Sequence, residues 1–210
     1  MKAGIIIYGL EGNFDIASKT WSYINNFDSD VVFSIGQGIT TEAQTKEKYP
    51  NSKFNRDMDL DGSESERNVR LIKQGYSLLN NEYDFVILMK INSYIIADNG
   101  FDFLNDCNAN DKIYGYRPIK IIGKQLFYVP DYFFIGSHKN MDVLIKNLPN
   151  VVETDINDMI PKTLLKNELY IQDIGPFFYI EEVFNNIVTS YQNLTPYELK
   201  IKAVEWKLRK

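Results

Sequence analysis

Asp57-Met58-Asp59-Leu60-Asp61 places three carboxylates at alternate positions, the densest acidic cluster in the chain. Carboxylates this close repel one another unless water, Lys or Arg, or a divalent cation absorbs the charge. Hard oxygen donors of this kind suit Mg²⁺, Mn²⁺ or Ca²⁺ better than Zn²⁺. Asp59 and Asp61 are therefore candidate metal ligands, and Asp57 a candidate wall of a nucleotide pocket. Behind them, Arg67 and Arg70 stand at i and i+3 on a predicted helix and share a face. Near a helix N-terminus, two such guanidinium groups can grip a diphosphate. They can equally pair with their own Asp and Glu neighbours.

Other candidates lie at the ends of predicted strands, where ligands bind in open α/β sheets. Tyr8-Gly9-Leu10-Glu11-Gly12 offers an aromatic side chain to face a base and glycines that let backbone approach a ligand. It is neither G-x-G-x-x-G nor a P-loop, and an ordinary strand-to-helix turn explains it as well. Lys90-Ile91-Asn92 closes the most apolar strand. Lys90 can neutralise phosphate charge, and Asn92 can ligate a metal through its carbonyl oxygen, more weakly than Asp. Asp131 opens Asp131-Tyr132-Phe133-Phe134-Ile135-Gly136-Ser137, where it can orient or deprotonate an acceptor hydroxyl or simply cap a turn. Glu181 and Glu182 open a predicted helix, a place the helix dipole favours for acids in any case. His138, the single histidine, follows a Gly-Ser turn and is expected to be exposed.

The elements that must position these residues alternate in the first half. Ala3 to Tyr8 and Val31 to Ile35 read as strands buried on both faces, and Asp84 to Met89 as a central strand. Ser52 to Asn55 is a brief strand. Helices are expected over Phe14 to Asn26, Thr40 to Lys48 and Glu64 to Leu79, the last with Val69, Ile72, Tyr76 and Leu79 on one stripe. This spacing implies βαβ units and a largely parallel sheet. In the second half, Lys112 to Tyr116 and Tyr132 to Ile135 are expected strands, and Ile119 to Val129 a hairpin around Gly123-Lys124-Gln125. Asn140 to Leu148, Asn157 to Lys166 and Ile180 to Tyr191 are expected helices. The tail Thr195 to Leu208 fits either a helix or a strand.

With 210 residues, the chain suits one domain with a sizeable core. Its 28 acidic and 23 basic residues argue against nucleic acid as a partner. One cysteine, Cys107, allows no intrachain disulfide, and one Cys with one His cannot assemble a zinc site. No hydrophobic leader or membrane span is legible, so a cytoplasmic protein is expected.

The order of these parts carries a resemblance. Trp21 lies on the first helix, VVFSI forms the second strand, and Arg67-Asn68-Val69-Arg70 opens a helix ending in Gly75-Tyr76-Ser77-Leu78-Leu79. Tyr83 to Asn92 follows, then Asp131 to Ser137 with Met141. Over roughly residues 3 to 190, this resembles the small GT-A glycosyltransferases of bacterial surface-polysaccharide clusters and large DNA viruses. In particular, it resembles the N-terminal glycosyltransferase domain of a chlorella-virus multidomain enzyme.

The resemblance implies a single GT-A domain over 1-210: an α/β, Rossmann-like fold with a mixed, mostly parallel central sheet flanked by helices. Residues 1-95 would bind the nucleotide sugar, and a smaller subdomain, 96-210, the acceptor. The chain would be a whole protein or the first domain of a longer one; a viral one would act in the host cytoplasm. The implied activity is sugar transfer from a nucleoside-diphosphate donor, a UDP-sugar, to a glycan acceptor with Mn²⁺ or Mg²⁺. Asp131 and Glu181 take the catalytic positions. Tyr8, Gly9, Asp57, Arg67, Arg70 and Lys90 bind the donor, and Asp59, Asp61 and Asn92 the metal. The family's Asp-x-Asp, or Arg-x-Asp, falls on Lys90 and Asn92 and is absent here. A module that binds nucleotide sugar or glycan without turnover is the alternative. A methyltransferase is a third reading, opposed by the missing glycine-rich loop.

Overall fold

The computed structural model describes residues 1–10, 28–38, 41–80, 82–97, 112–115, 119–120, 127–128, 131, 133–151, 156–173 and 178–182. The predicted helix over Phe14 to Asn26, the Gly123 turn and the tail after residue 182 lie outside them. Among the described residues are eleven strands and four helices. In chain order these are β1 (Lys2–Gly9), β2 (Asp28–Ile35), α1 (Glu42–Lys48), β3 (Lys53–Arg56), α2 (Glu64–Ser77), β4 (Phe85–Lys90) and β5 (Ser93–Ala97). Then come β6 (Ile113–Gly115), β7 (Ile119–Lys120), β8 (Phe127–Tyr128), β9 (Phe133–Ser137), α3 (His138–Asn147), α4 (Ile156–Lys166), β10 (Ile171–Asp173) and β11 (Phe178–Glu182).

Seven strands form one sheet in the order β10-β6-β9-β4-β1-β2-β3. β9 alone runs against the rest, pairing antiparallel with β4 and β6. The other pairings are parallel. The sheet is thus mixed and mostly parallel, an α/β arrangement compatible with a Rossmann-like fold. Its continuous apolar strands, GIIIY in β1 and FVILM in β4, are buried throughout, as central strands covered on both faces must be. β5 pairs antiparallel with β11, and β7 with β8, in two small sheets contributed chiefly by the second half of the chain.

The helix α2 is set by its own sequence. Ser63 accepts from the Glu66 amide while Glu66 accepts from the Ser63 amide, a reciprocal capping box. Gly62 before it has φ +94°, and a Cβ there would lie 2.8 Å from the capping carboxylate. Val69, Leu71 and Ile72 are buried in one cluster with Ile6, Tyr8, Val86 and Leu88 of the sheet and Met141, Leu144 and Ile145 of α3. Gly75 lets the helix approach closely, since a Cβ would meet Ile6 Cγ2 at 2.8 Å and Ser34 Cβ at 2.9 Å. The Ser34 hydroxyl then donates to the Leu71 carbonyl (2.7 Å).

Three expectations are corrected. Phe178–Glu182 is a strand, not the start of a helix: the aromatic and β-branched FYI run pairs with β5, and Glu181 sits opposite Tyr94. Residues 183 to 191 of that predicted helix lie outside the described residues. Gly136-Ser137 is not a turn but the end of β9, and Ser137 caps α3 directly.

His138 is half-buried rather than exposed. Its Nδ1 accepts from the Tyr83 amide (3.2 Å), and its Nε2 lies 3.1 Å from the Tyr76 hydroxyl, which donates to Asp142 (2.7 Å). Burial and the bond to Asp142 push the Tyr76 phenol well above the usual tyrosine range. Burial alone would raise the Asp142 carboxyl, but hydrogen bonds from Lys146 and Tyr76 and the charge of Lys146 hold it below the usual range.

Candidate functional site

In the order β3-β2-β1-β4, β1 is the first strand laid down. The chain moves outward from it to β2 and β3, then crosses back to β4 on its other side. The strand order, not the strand direction, reverses between β1 and β4, the place where open α/β sheets leave a crevice beyond their carboxyl ends. Tyr8 and Lys90 are register partners at the ends of these two strands. Because β9 runs antiparallel, its leading residues arrive at the same edge, with Phe133 beside Met89 and Asp131 just ahead.

These three side chains meet. The Tyr8 hydroxyl donates to the Asp131 carbonyl (2.6 Å) and lies 3.4 Å from Asp131 Oδ2. Lys90 Nζ is 3.4 Å from both carboxylate oxygens of Asp131. Their side chains are 11% and 3% exposed, so this is a buried ion pair. Separating the two charges would leave one of them desolvated, at a cost of about 3–5 kcal/mol in comparable pairs. The Asp131 amide donates to Asn157 Oδ1 on the first turn of α4 (2.8 Å), and the Ile156 amide to Ser65 Oγ on the first turn of α2 (3.0 Å). The first turns of two helices thus close around the strand ends. Gly9 is tied to the neighbouring turn, its carbonyl accepting from Gly36. Asn92 lies in the turn after β4 and is 6% exposed.

The acidic loop follows β3 on the same carboxyl edge, and Arg70 meets two of its three carboxylates. Arg70 Nε donates to Asp57 Oδ2 (2.7 Å), and its terminal nitrogens reach the Asp59 carbonyl (2.8 Å), the Asp61 carbonyl (3.3 Å) and Asp59 Oδ2 (3.4 Å). Asp57 and Asp59 also accept the amides of Asp59 and Asp61. Of the two uses of Arg70 open in the sequence, the structure has the local one. Arg67 is different: its Nε is buried and meets no acceptor among the described residues.

Asn68, one residue on, is 1% exposed, and its Oδ1 meets no donor among the described residues. It lies three residues before Leu71, whose carbonyl touches Ser34, so it stands one helical turn nearer the carboxyl edge. Asn68, Ser65 and Asn157 were not singled out in the sequence. For Asn68 the signal was available, as a polar residue on the apolar stripe of α2; for Asn157 there was none. Glu181 is on β11, in the small sheet with β5, and not on a helix N-terminus.

The divalent ion implied by the resemblance needs several hard oxygen donors. At the end of β4 the chain offers an ammonium, which has no lone pair and repels a cation, beside an amide and a carboxylate that the ammonium holds. The carboxylates of Asp57 and Asp59 are turned onto Arg70. Among the described residues, no three Asp, Glu, His or Cys side chains converge. Asn92 Oδ1, by contrast, is buried and meets no donor among the described residues, and Arg70 reaches only the backbone carbonyl of Asp61.

No described helix is long and apolar enough to cross a membrane. No protein-family model matches the chain, and no curated protein does.

Proposed function

We propose that this chain is a glycosyltransferase of the GT-A type that moves a sugar from a nucleoside-diphosphate donor, a UDP-sugar, to a glycan acceptor. The observation carrying the reading is the meeting of Tyr8, Lys90 and Asp131 on one strand edge at the β1/β4 reversal. The order of parts shared with that family adds to it. In the reaction, the bond between the anomeric carbon and the β-phosphate oxygen breaks, and its electron pair stays on the departing nucleoside diphosphate. A bond forms to an acceptor hydroxyl oxygen, whose proton is released.

Gly9 lies at the strand end that would face the nucleoside, Tyr8 is buried in the core and braces Asp131, and Lys90 and Arg67 supply positive charge to the phosphates. A fixed cation aimed at the leaving oxygens stabilises the charge that develops there and needs no reorganisation. Asp131 holds Lys90 and Tyr8 in place. Its contacts with both favour a positioning role.

Incubation with a panel of nucleoside-diphosphate sugars tests the reading. Release of nucleoside diphosphate, lost in Lys90→Ala, is expected. Failure of every donor both to bind and to turn over would defeat the reading. The buried, paired state of Asp131 favours one other reading, a module that holds nucleotide sugar without turnover; binding without release would identify it.

A further inference from the structure

We infer that this chain associates head to tail with further copies of itself, an apolar and acidic corner of one copy seating on an apolar and basic corner of the next. The inference is independent of the glycosyltransferase reading.

The first corner is the loop after β3. Met58 and Leu60 alternate with its aspartates and are 61% and 60% exposed. Arg70 holds the Asp57 and Asp59 carboxylates and the Asp59 and Asp61 carbonyls. The loop is thereby braced with its two apolar side chains in water, so presenting them to a partner costs little ordering entropy. The exposed carboxylates of Asp61 and Glu64 flank them and meet no cation among the described residues.

The second corner is α4 and the residues just after it. Lys162, Leu165 and Lys166 stand at i, i+3 and i+4 on one exposed helix face. Leu165 is 54% exposed, and Tyr170, immediately before β10, is 73% exposed. Neither lysine has an ion-pair partner among the described residues, and with Glu168 exposed nearby the corner keeps one net positive charge. Four of the six large apolar side chains exposed among the described residues thus fall in these two corners. Met and Tyr are side chains that protein interfaces favour, and each corner carries the charge the other lacks.

Topology decides what assembly this makes. β3 and β10 are the outermost strands of the sheet, six strand spacings or roughly 29 Å apart. Both run in the direction of β1 and β4. The first corner follows β3 and the second precedes β10, so the two lie at diagonally opposite ends of the sheet. One chain cannot bring them together within itself. Two copies joined by one pair of corners leave another pair open, so the contact is heterologous and adds copies in sequence.

The test is sedimentation equilibrium of the whole chain from about 10 to about 300 µM, in about 50 mM and about 500 mM salt. The mean mass is expected to rise with concentration past that of a dimer, and to rise less at the higher salt. Asp61→Lys with Glu64→Lys should weaken association about tenfold or more, and so should Lys162→Glu with Lys166→Glu. All four side chains are exposed, so both variants are expected to keep the fold, which circular dichroism checks. Mixed in equal amounts, the two variants meet with opposite charges at every corner and should associate again. A monomer at every concentration, a mass that levels at the dimer, association that neither reversal weakens, or a mixture that stays monomeric overturns the inference.

Discussion

Asn68 gives the sharpest single test of the site. Its amide oxygen is buried on the first turn of α2 without a donor among the described residues. A buried polar atom left unsatisfied costs about 1–3 kcal/mol. Leucine carries the same number of side-chain heavy atoms with the same branching at Cγ, so Asn68→Leu removes the orphan without a cavity. It also exchanges a middling helix former for a good one, a gain of about 0.5 kcal/mol. Together these predict a variant more stable by about 2 kcal/mol, and at about 2–4 °C per kcal/mol for a chain of this size, a Tm raised by about 4–8 °C.

Thermal unfolding followed by circular dichroism reads the shift, and nucleotide titration of the same sample reads the function. An orphaned oxygen kept for a ligand predicts a trade-off: the variant gains stability and loses affinity. A Tm that falls or stays level would mean that the oxygen has a partner in the folded protein, and the reasoning would be refuted. A raised Tm with unchanged nucleotide affinity would remove Asn68 from the site.

The remaining predictions concern the frame around the site. Gly75→Ala should lower the Tm despite its better helix propensity, because the added methyl meets Ile6 and Ser34 below 3.0 Å and overpacking of this kind costs about 1–3 kcal/mol; a gain in stability would show that α2 lifts off freely. Arg70→Met strips Asp57, 4% exposed, of its cation and should cost about 1–2 kcal/mol after allowance for the partly exposed guanidinium, read by urea unfolding. Burial raises the Tyr49 phenol from 10.0 to about 12, so its neutral form is favoured in the fold. The stability this gives is complete below pH 10.0 and is lost as pH rises through about 12, an alkaline loss that Tyr49→Phe should reduce in a pH series of unfolding curves.

The central frame was legible because its signals are local. Buried strands announce themselves by unbroken apolar runs, and α2 by Ser63 and Glu66 three residues apart. What escaped depends on partners distant in sequence. The FYIEE segment reads as a helix opening by its acids, yet β5, some eighty residues earlier, makes it a strand. His138 follows a glycine and a serine, a pattern that suggests a surface turn. Only the return of β9 beside β4 brings it against Tyr83 and Tyr76. The reversed direction of β9 has no local signature, and it is this reversal that delivers Asp131 to the end of β4.

The same distinction governs the site's charges. The acidic cluster stands out in the sequence because its carboxylates are adjacent, and that adjacency lets one guanidinium reach two of them, Asp57 and Asp59. Arg70 spans the Asp57 carboxylate and the carbonyls of Asp59 and Asp61 with a planar fork that an ammonium does not have. Arg70 thereby ties the loop to α2. Lys90 stands out in the sequence only as the end of an apolar strand; it faces a carboxylate 41 residues away, and no spacing rule reports such a pair. Local charge density in a sequence marks groups able to neutralise one another at once. Charges that the fold pairs across a long separation, as it does Lys90 and Asp131, leave no such local mark.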